Sequence, residues 1–139
     1  MPSSRISVII PTHNGASTLA QCLSAIRASS LAPHEIIVVD DASTDDSAQI
    51  ATQFGCRVIR QAENIGAARA KNVGAQSASG EILFFTDDDV MIAPDALERI
   101  AAKMNDADIA GVINYVRANF APAAPKVTAD QVAKQRAKL

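Results

Sequence analysis

The chain has 139 residues, 48% of them hydrophobic and 20% charged, with a formal net charge of −2. That length supports one domain with a moderate core, and the slight acidity excludes a nucleic-acid partner held by bulk electrostatics. No apolar run approaches the ~20 residues that span a bilayer, and the N-terminus lacks the charged and apolar regions of a signal peptide, so no transmembrane segment and a cytoplasmic location are expected.

Cys22 and Cys56 have no second pair with which to build a structural zinc site. They read as buried thiols of a reducing compartment, with a disulfide between them as the alternative. Ile6 to Ile10 is a β-branched run closed by Pro11, a first strand, and Thr12-His13-Asn14-Gly15 follows as a polar turn. Leu19, Cys22, Leu23 and Ile26 recur at helical spacing, which predicts an amphipathic helix over 17–29. Ile36 to Val39 is a second strand running into Asp40 and Asp41. Ser43 with Asp46 has the spacing of a capping box, for a helix ending near Phe54 and Gly55. Cys56 to Ile59 is a short third strand, and Asn64-Ile65-Gly66 turns into a helix of small residues over 67–78 whose backbone can lie close to a neighbour.

Ile82 to Phe85, bounded by Gly80 and by Asp87-Asp88-Asp89, reads as a fully buried parallel strand. Pro94 opens a helix with Leu97, Ile100, Ala101 and Met104 on its apolar face. Beyond it, Ile109, Val112, Ile113, Val116 and Phe120 fit an amphipathic helix, with Ile109 to Ile113 as a fifth strand in the alternative. Ala121 to Pro125 is a linker, and Thr128 with Gln131 caps a last helix, flanked by Val127 and Val132 as a hydrophobic staple.

This alternation predicts an α/β fold, Rossmann-like and three-layered, with a mainly parallel sheet of four or five strands and a helical C-terminal tail. Residues 1–104 form the α/β domain and 105–139 a helical extension. Three polar clusters then end on one edge of the sheet: Pro11 to Asn14, Asp40-Asp41 and Asp87 to Asp89. Ligands of open parallel sheets bind there. Three adjacent carboxylates repel one another unless something positive sits between them, and a hard divalent cation shared with a ligand's phosphates is the natural occupant. The chain has neither GxGxxG nor GxxxxGK[ST], so phosphate binding by a glycine loop is not expected.

Ser7-Val8-Ile9-Ile10-Pro11-Thr12-His13-Asn14 and Glu35 to Asp45 resemble the opening of family-2 glycosyltransferases. Asn64-Ile65-Gly66-Ala67-Ala68-Arg69-Ala70-Lys71-Asn72 is similar to that family's Asn-x-Gly segment, and Gly80 to Asp89 to its Asp-x-Asp (DxD) region. The resemblance covers roughly residues 5 to 104. It implies the donor half of a GT-A type domain that binds a UDP-sugar or similar nucleotide-sugar. Pro11, Thr12, His13 and Asn14 would line the base and ribose pocket, Asp40 would bind the base, and Arg69 would lie near the diphosphate. Asp87 and Asp88 would complete the nucleotide-sugar site, with Asp87 and Asp89 holding Mg²⁺ or Mn²⁺ as a Lewis acid.

The resemblance also implies transfer with inversion by a carboxylate base. The segment that carries that base and the family's Gln-x-x-Arg-Trp type motif have no counterpart here, and the chain contains no Trp. None of Asp95, Glu98, Asp106, Asp108 and Asp130 stands in the base's context, so no base is assigned, and a truncated or fused chain is expected. An edge left open by truncation predicts self-association into a homo-oligomer. Asn105 to Arg117 and Val127 to Val132 resemble the C-terminal helix and tail of some bacterial c-type cytochromes, without Cys-x-x-Cys-His and hence without haem, which would set a seam near Lys103 to Asp106. The rival reading is a non-catalytic α/β module that binds a nucleotide or nothing. A receiver-like phosphoacceptor domain is weaker, because its Asp and Lys pattern is absent.

Overall fold

A computed structural model describes residues 5–104, 126 and 128–138. Strands β1 (Ile6–Thr12), β2 (Glu35–Asp40), β3 (Arg57–Arg60) and β4 (Ile82–Phe85) form a parallel sheet in the order β3-β2-β1-β4. Helices α1 (Ala16–Arg27), α2 (Ser47–Gln53), α3 (Ala67–Ser77) and α4 (Ala96–Lys103) follow the strands in turn, as the sequence pattern predicts. The chain moves outward from β1 to β2 and β3, then returns to the other side of β1 for β4. That reversal places a crevice between the carboxyl ends of β1 and β4.

The two sheet faces follow from strand alternation. Ile37 and Val39 form a cluster with Ala70 of α3, and a Cβ on Gly74 would meet Ile9 Cγ2 at 2.5 Å and Val39 Cγ2 at 3.2 Å. The backbone of helix α3 therefore packs directly on the Ile9 and Val39 side chains, which its small residues permit. Val8, Ile10, Ile36 and Val38 point the opposite way and are equally buried. On that side α2 packs against β2 and β3, and α1 packs against α2. At the amino-terminal edge Glu35 accepts hydrogen bonds from Ser7 Oγ (2.7 Å), Ser79 N (2.7 Å) and Ser79 Oγ (3.0 Å). Partial burial raises this carboxyl, but those bonds outweigh it and hold it below its ordinary value.

Two sequence expectations are corrected here. Strand β4 is not fully buried: Leu83 is 40% and Phe85 42% exposed. They pair with Ser7 and Ile9, so they share the α3 face of the sheet, but α3 lies over β1 and β2, and β4 is the outermost strand on its side among the described residues. The Ser43–Asp46 capping box also does not form. Helix α2 starts at Ser47 with Asp46 at the N-cap and no side-chain cap there. Asp45 instead takes the Ser47 N–H at 3.0 Å and the Ala16 N–H at 3.0 Å, tying α2 to the start of α1.

The chain divides into two compact units, Met1–Glu98 and Arg99–Leu139. In the second, helix α5 (Ala129–Arg136) carries the expected capping box, with Gln131 N donating to Thr128 Oγ1 at 3.2 Å and Thr128 N to Gln131 Oε1 at 2.9 Å. The expected helix or fifth strand within 105–120, the linker 121–125 and the staple residue Val127 lie outside the described residues. Among the described residues, no helix is long and apolar enough to cross a membrane.

Candidate functional site

The ends of β1, β2 and β4 share the carboxyl edge, with Thr12 paired to Asp40 and Ile9 to Phe85. Just beyond them opens a pocket of about 280 Å³ lined by Pro11, Thr12, His13, Asp41, Ala67, Asp87, Asp88 and Asp89. Six of the residues expected from sequence are thus together: Pro11, Thr12, His13, Asp87, Asp88 and Asp89. Asn14, Asp40 and Arg69 are not in the lining. Asp41, which the sequence reading names only within the Asp40-Asp41 cluster, and Ala67 are.

Each wall is fixed by identifiable bonds. Asp41 is 3% exposed, and its carboxylate accepts from Ile65 N (2.8 Å) and Gly66 N (2.9 Å). It anchors the turn that launches α3 and so sets Ala67 on the rim. The Asp41 carbonyl lies 2.7 Å from His13 Nδ1. A carbonyl only accepts, so Nδ1 is the donor in this bond. Asn14 sits at φ 53, a left-handed conformation that Asn tolerates. Its Oδ1 accepts from Thr44 N at 2.8 Å and its N–H donates to Ser43 Oγ at 2.9 Å, so it pins the β1 loop to the β2 loop.

Asp40 stands behind the wall. It is fully buried, in phase with Ile36 and Val38, and accepts from Ser43 N at 3.1 Å. Its Oδ2 has no hydrogen-bond partner and lies 3.5 Å from Arg60 Nη1. Arg69 is exposed and stands away from the lining.

The three consecutive carboxylates have three different surroundings. Thr12 Oγ1 donates to Asp88 Oδ2 at 2.7 Å. Gly15 lies directly beneath that bond: a Cβ there would fall 2.1 Å from Asp88 Oδ2 and 2.5 Å from Thr12 Oγ1. Lys71 Nζ lies 3.1 Å from Asp87 Oδ1, a partner the sequence reading missed. Helical spacing could have found it, because residues four apart share a helix face and Ala67 is on the rim. Asp89 lines the pocket without a hydrogen-bond or ion-pair partner among the described residues. Asp87 and Asp89 offer hard oxygen donors that suit Mg²⁺ or Mn²⁺. Among the described residues no group of three or more potential protein ligands converges, so this donor set fits a cation completed by a ligand's own oxygens.

Cys22, on the buried face of α1, touches this turn through Sγ to the Asp87 carbonyl at 3.5 Å. Burial, then the Asp88 and Asp89 carboxylates, push its thiol up to about 11. Both cysteines are free thiols, and burial also raises Cys56 despite the nearby Arg27 guanidinium. Because the thiolate is the reactive form, Cys22 is expected to label with a disulfide reagent at pH 8 at least ~100-fold more slowly in the native protein than in denaturant. Native labelling at the denatured rate would contradict this burial.

The family model described as "Glycosyl transferase family 2" matches residues 7–135, and the chain belongs to that family. The match runs past the stretch 5–104 that carries the motifs. Glycosyltransferase GlyG of Streptococcus pneumoniae is 35% identical over 119 residues, covering 81% of this chain and 40% of GlyG. The structure of S. aureus TarS in complex with UDP-GlcNAc superposes with a TM-score of 0.69 at 30% identity, covering 74% of this chain and 32% of that one. Mannosyltransferase PcManGT from Pyrobaculum calidifontis, in complex with GDP-Man and Mn²⁺, gives 0.63 at 31% identity over 68% of this chain and 30% of that one. The chain thus spans 40% or less of each of these relatives.

Proposed function

We propose that the pocket at the β1/β4 switch point binds the nucleotide diphosphate of an activated sugar, together with Mg²⁺ or Mn²⁺, as the donor site of a glycosyltransferase. The observation that carries this reading is the convergence of Pro11, Thr12, His13, Asp41 and Asp87 to Asp89 on one pocket. Relatives that share the fold are solved with UDP-GlcNAc and with GDP-Man and Mn²⁺.

In this reading the nucleoside lies against Pro11, Thr12, His13 and Asp41, with Asp40 bracing that wall from within. The diphosphate turns toward Asp87 and Asp89, which hold the cation. When bound, the cation supplies charge neutralisation for the leaving diphosphate. The protein's own part is positioning. Thr12 fixes Asp88, Asp41 fixes the turn before α3, and protonated Nδ1 keeps the His13 ring in register with the Asp41 carbonyl.

Deprotonation of an acceptor hydroxyl, which transfer with inversion requires, is assigned to none of these carboxylates. Asp41 is engaged by two backbone N–H groups, Asp87 by Lys71 and Asp88 by Thr12, and Asp89 is given to the cation in this reading. Calorimetric titration of UDP is expected to show binding in Mn²⁺ and at least ~10-fold weaker binding in chelator, a difference of about 1.4 kcal/mol. Asp89→Ala is expected to erase the Mn²⁺ dependence. Absence of binding by the unsubstituted chain in either condition would leave the family fold without a donor site.

A further inference from the structure

The acidic turn already contains a positive charge. Three carboxylates in sequence repel one another, and the cation that relieves them in this structure is a lysine, Lys71 Nζ at 3.1 Å from Asp87 Oδ1. Its side chain is only 33% exposed, whereas that of Asp87 is 59% exposed. The lysine is thus held against the protein, with its charge delivered to the carboxylate from below. Lys71 follows Ala67 by four residues on α3, a rotation of about 40° net, which keeps it on the pocket side of the helix. Neither Lys71 nor Arg69 lines the pocket itself; Lys71 reaches it through Asp87, whereas Arg69 is exposed and rotated about 200° from Ala67.

Resting on the nucleotide-binding reading above, we propose that Lys71 is a resident counter-cation that competes with the divalent metal for Asp87, so that metal enters the site together with a nucleotide diphosphate and not before it. With Asp87 paired to Lys71 and Asp88 bonded to Thr12, only Asp89 stands unpaired for a metal ion. A single carboxylate is a poor site for a hard cation that wants six or more oxygens. Recruiting Asp87 means displacing Lys71, which gives up a partly exposed ion pair of modest strength and leaves the ammonium beside the metal's own charge. The diphosphate resolves both problems. Its oxygens complete the metal's coordination and give the displaced ammonium a new anionic partner beside Asp87. Metal and diphosphate then each make room for the other, which is positive coupling between two ligands through one side chain.

The test is Mn²⁺ binding, read by the loss of the free-ion paramagnetic resonance signal, with and without UDP. For the unsubstituted chain, UDP is expected to tighten Mn²⁺ by tenfold or more. Lys71→Met is expected to tighten Mn²⁺ at least fivefold in the absence of UDP and to shrink the gain that UDP brings. Lys71→Arg, which keeps the charge, restores the original behaviour. Arg69→Met removes the same charge from the same helix and is expected to change Mn²⁺ affinity less than twofold. In an Asp87→Asn background the Lys71→Met gain disappears, because nothing remains to compete for.

Unchanged or weaker Mn²⁺ binding by Lys71→Met, an equal gain from Arg69→Met, or a gain that survives Asp87→Asn would each overturn the proposal while leaving the nucleotide site intact. Failure of the unsubstituted chain to bind UDP with Mn²⁺ would overturn the nucleotide reading and this proposal with it.

Discussion

Asp41→Ala is expected to lower stability by about 3 kcal/mol and to abolish nucleotide binding. The carboxylate makes two short bonds to the backbone N–H groups of Ile65 and Gly66, at 2.8 and 2.9 Å, and is 3% exposed. Bonds to a charged acceptor contribute more than neutral ones, and their removal leaves the Ile65 N–H without its acceptor and the Gly66 N–H with only Asn64 Oδ1 at 3.1 Å. For a chain of this length the loss corresponds to a fall in Tm of about 10 °C. The functional effect arises because the same side chain lines the pocket and sets the turn that brings Ala67 to its rim. Asn keeps one carbonyl acceptor in that place, so Asp41→Asn is expected to recover about half of the stability. Thermal melts and UDP titration of the three proteins check this, and an Asp41→Ala protein that melts with the original would refute the anchoring role.

Gly74→Val is the substitution expected to damage the fold most without touching the pocket. Replacing a helical glycine ordinarily helps, because glycine is about 1 kcal/mol worse than alanine inside a helix. Here the first added carbon already meets Ile9 Cγ2 at 2.5 Å. Ile9 is completely buried, and its branched side chain has little rotamer freedom to give way. Two further methyl groups drive α3 off the sheet, at an expected cost of about 3 kcal/mol. Denaturant unfolding checks this, and a Gly74→Val protein of equal or greater stability would mean that the α3 backbone does not pack directly on Ile9.

The order of elements was legible because the strands are short β-branched or aromatic runs and the longer helices carry apolar residues at helical spacing. Strand ends at a common edge then brought Pro11 to His13 and Asp87 to Asp89 together on topology alone. What the sequence left unread depends on direction and neighbours. Period two along β2 sets Asp40 in phase with Val38 and Ile36, which are buried. Asp40 accordingly braces the β2 loop from inside while Asp41 reaches the pocket. Helical phase likewise separates Lys71 from Arg69, although both stand in one motif. The exposure of Leu83 and Phe85 had no local signal: an apolar run reads the same whether or not a helix lies over it, and α3 covers β1 and β2 instead. Ser43 with Asp46 gave a helix-start signal, but the helix is tied by Asp45, whose second oxygen takes the Ala16 N–H, a tie across 29 residues that no local motif encodes.

Nuclear magnetic resonance of the 139-residue chain with UDP, first in Mg²⁺ and then with a trace of Mn²⁺, tests the central claim most directly. The expected result is amide shifts at 12–14, 41 and 65–67, with paramagnetic broadening centred on 87–89. Shifts gathered at the opposite edge of the sheet, around Glu35 and Ser79, or broadening that spares 87–89, would contradict a donor site at the β1/β4 switch point.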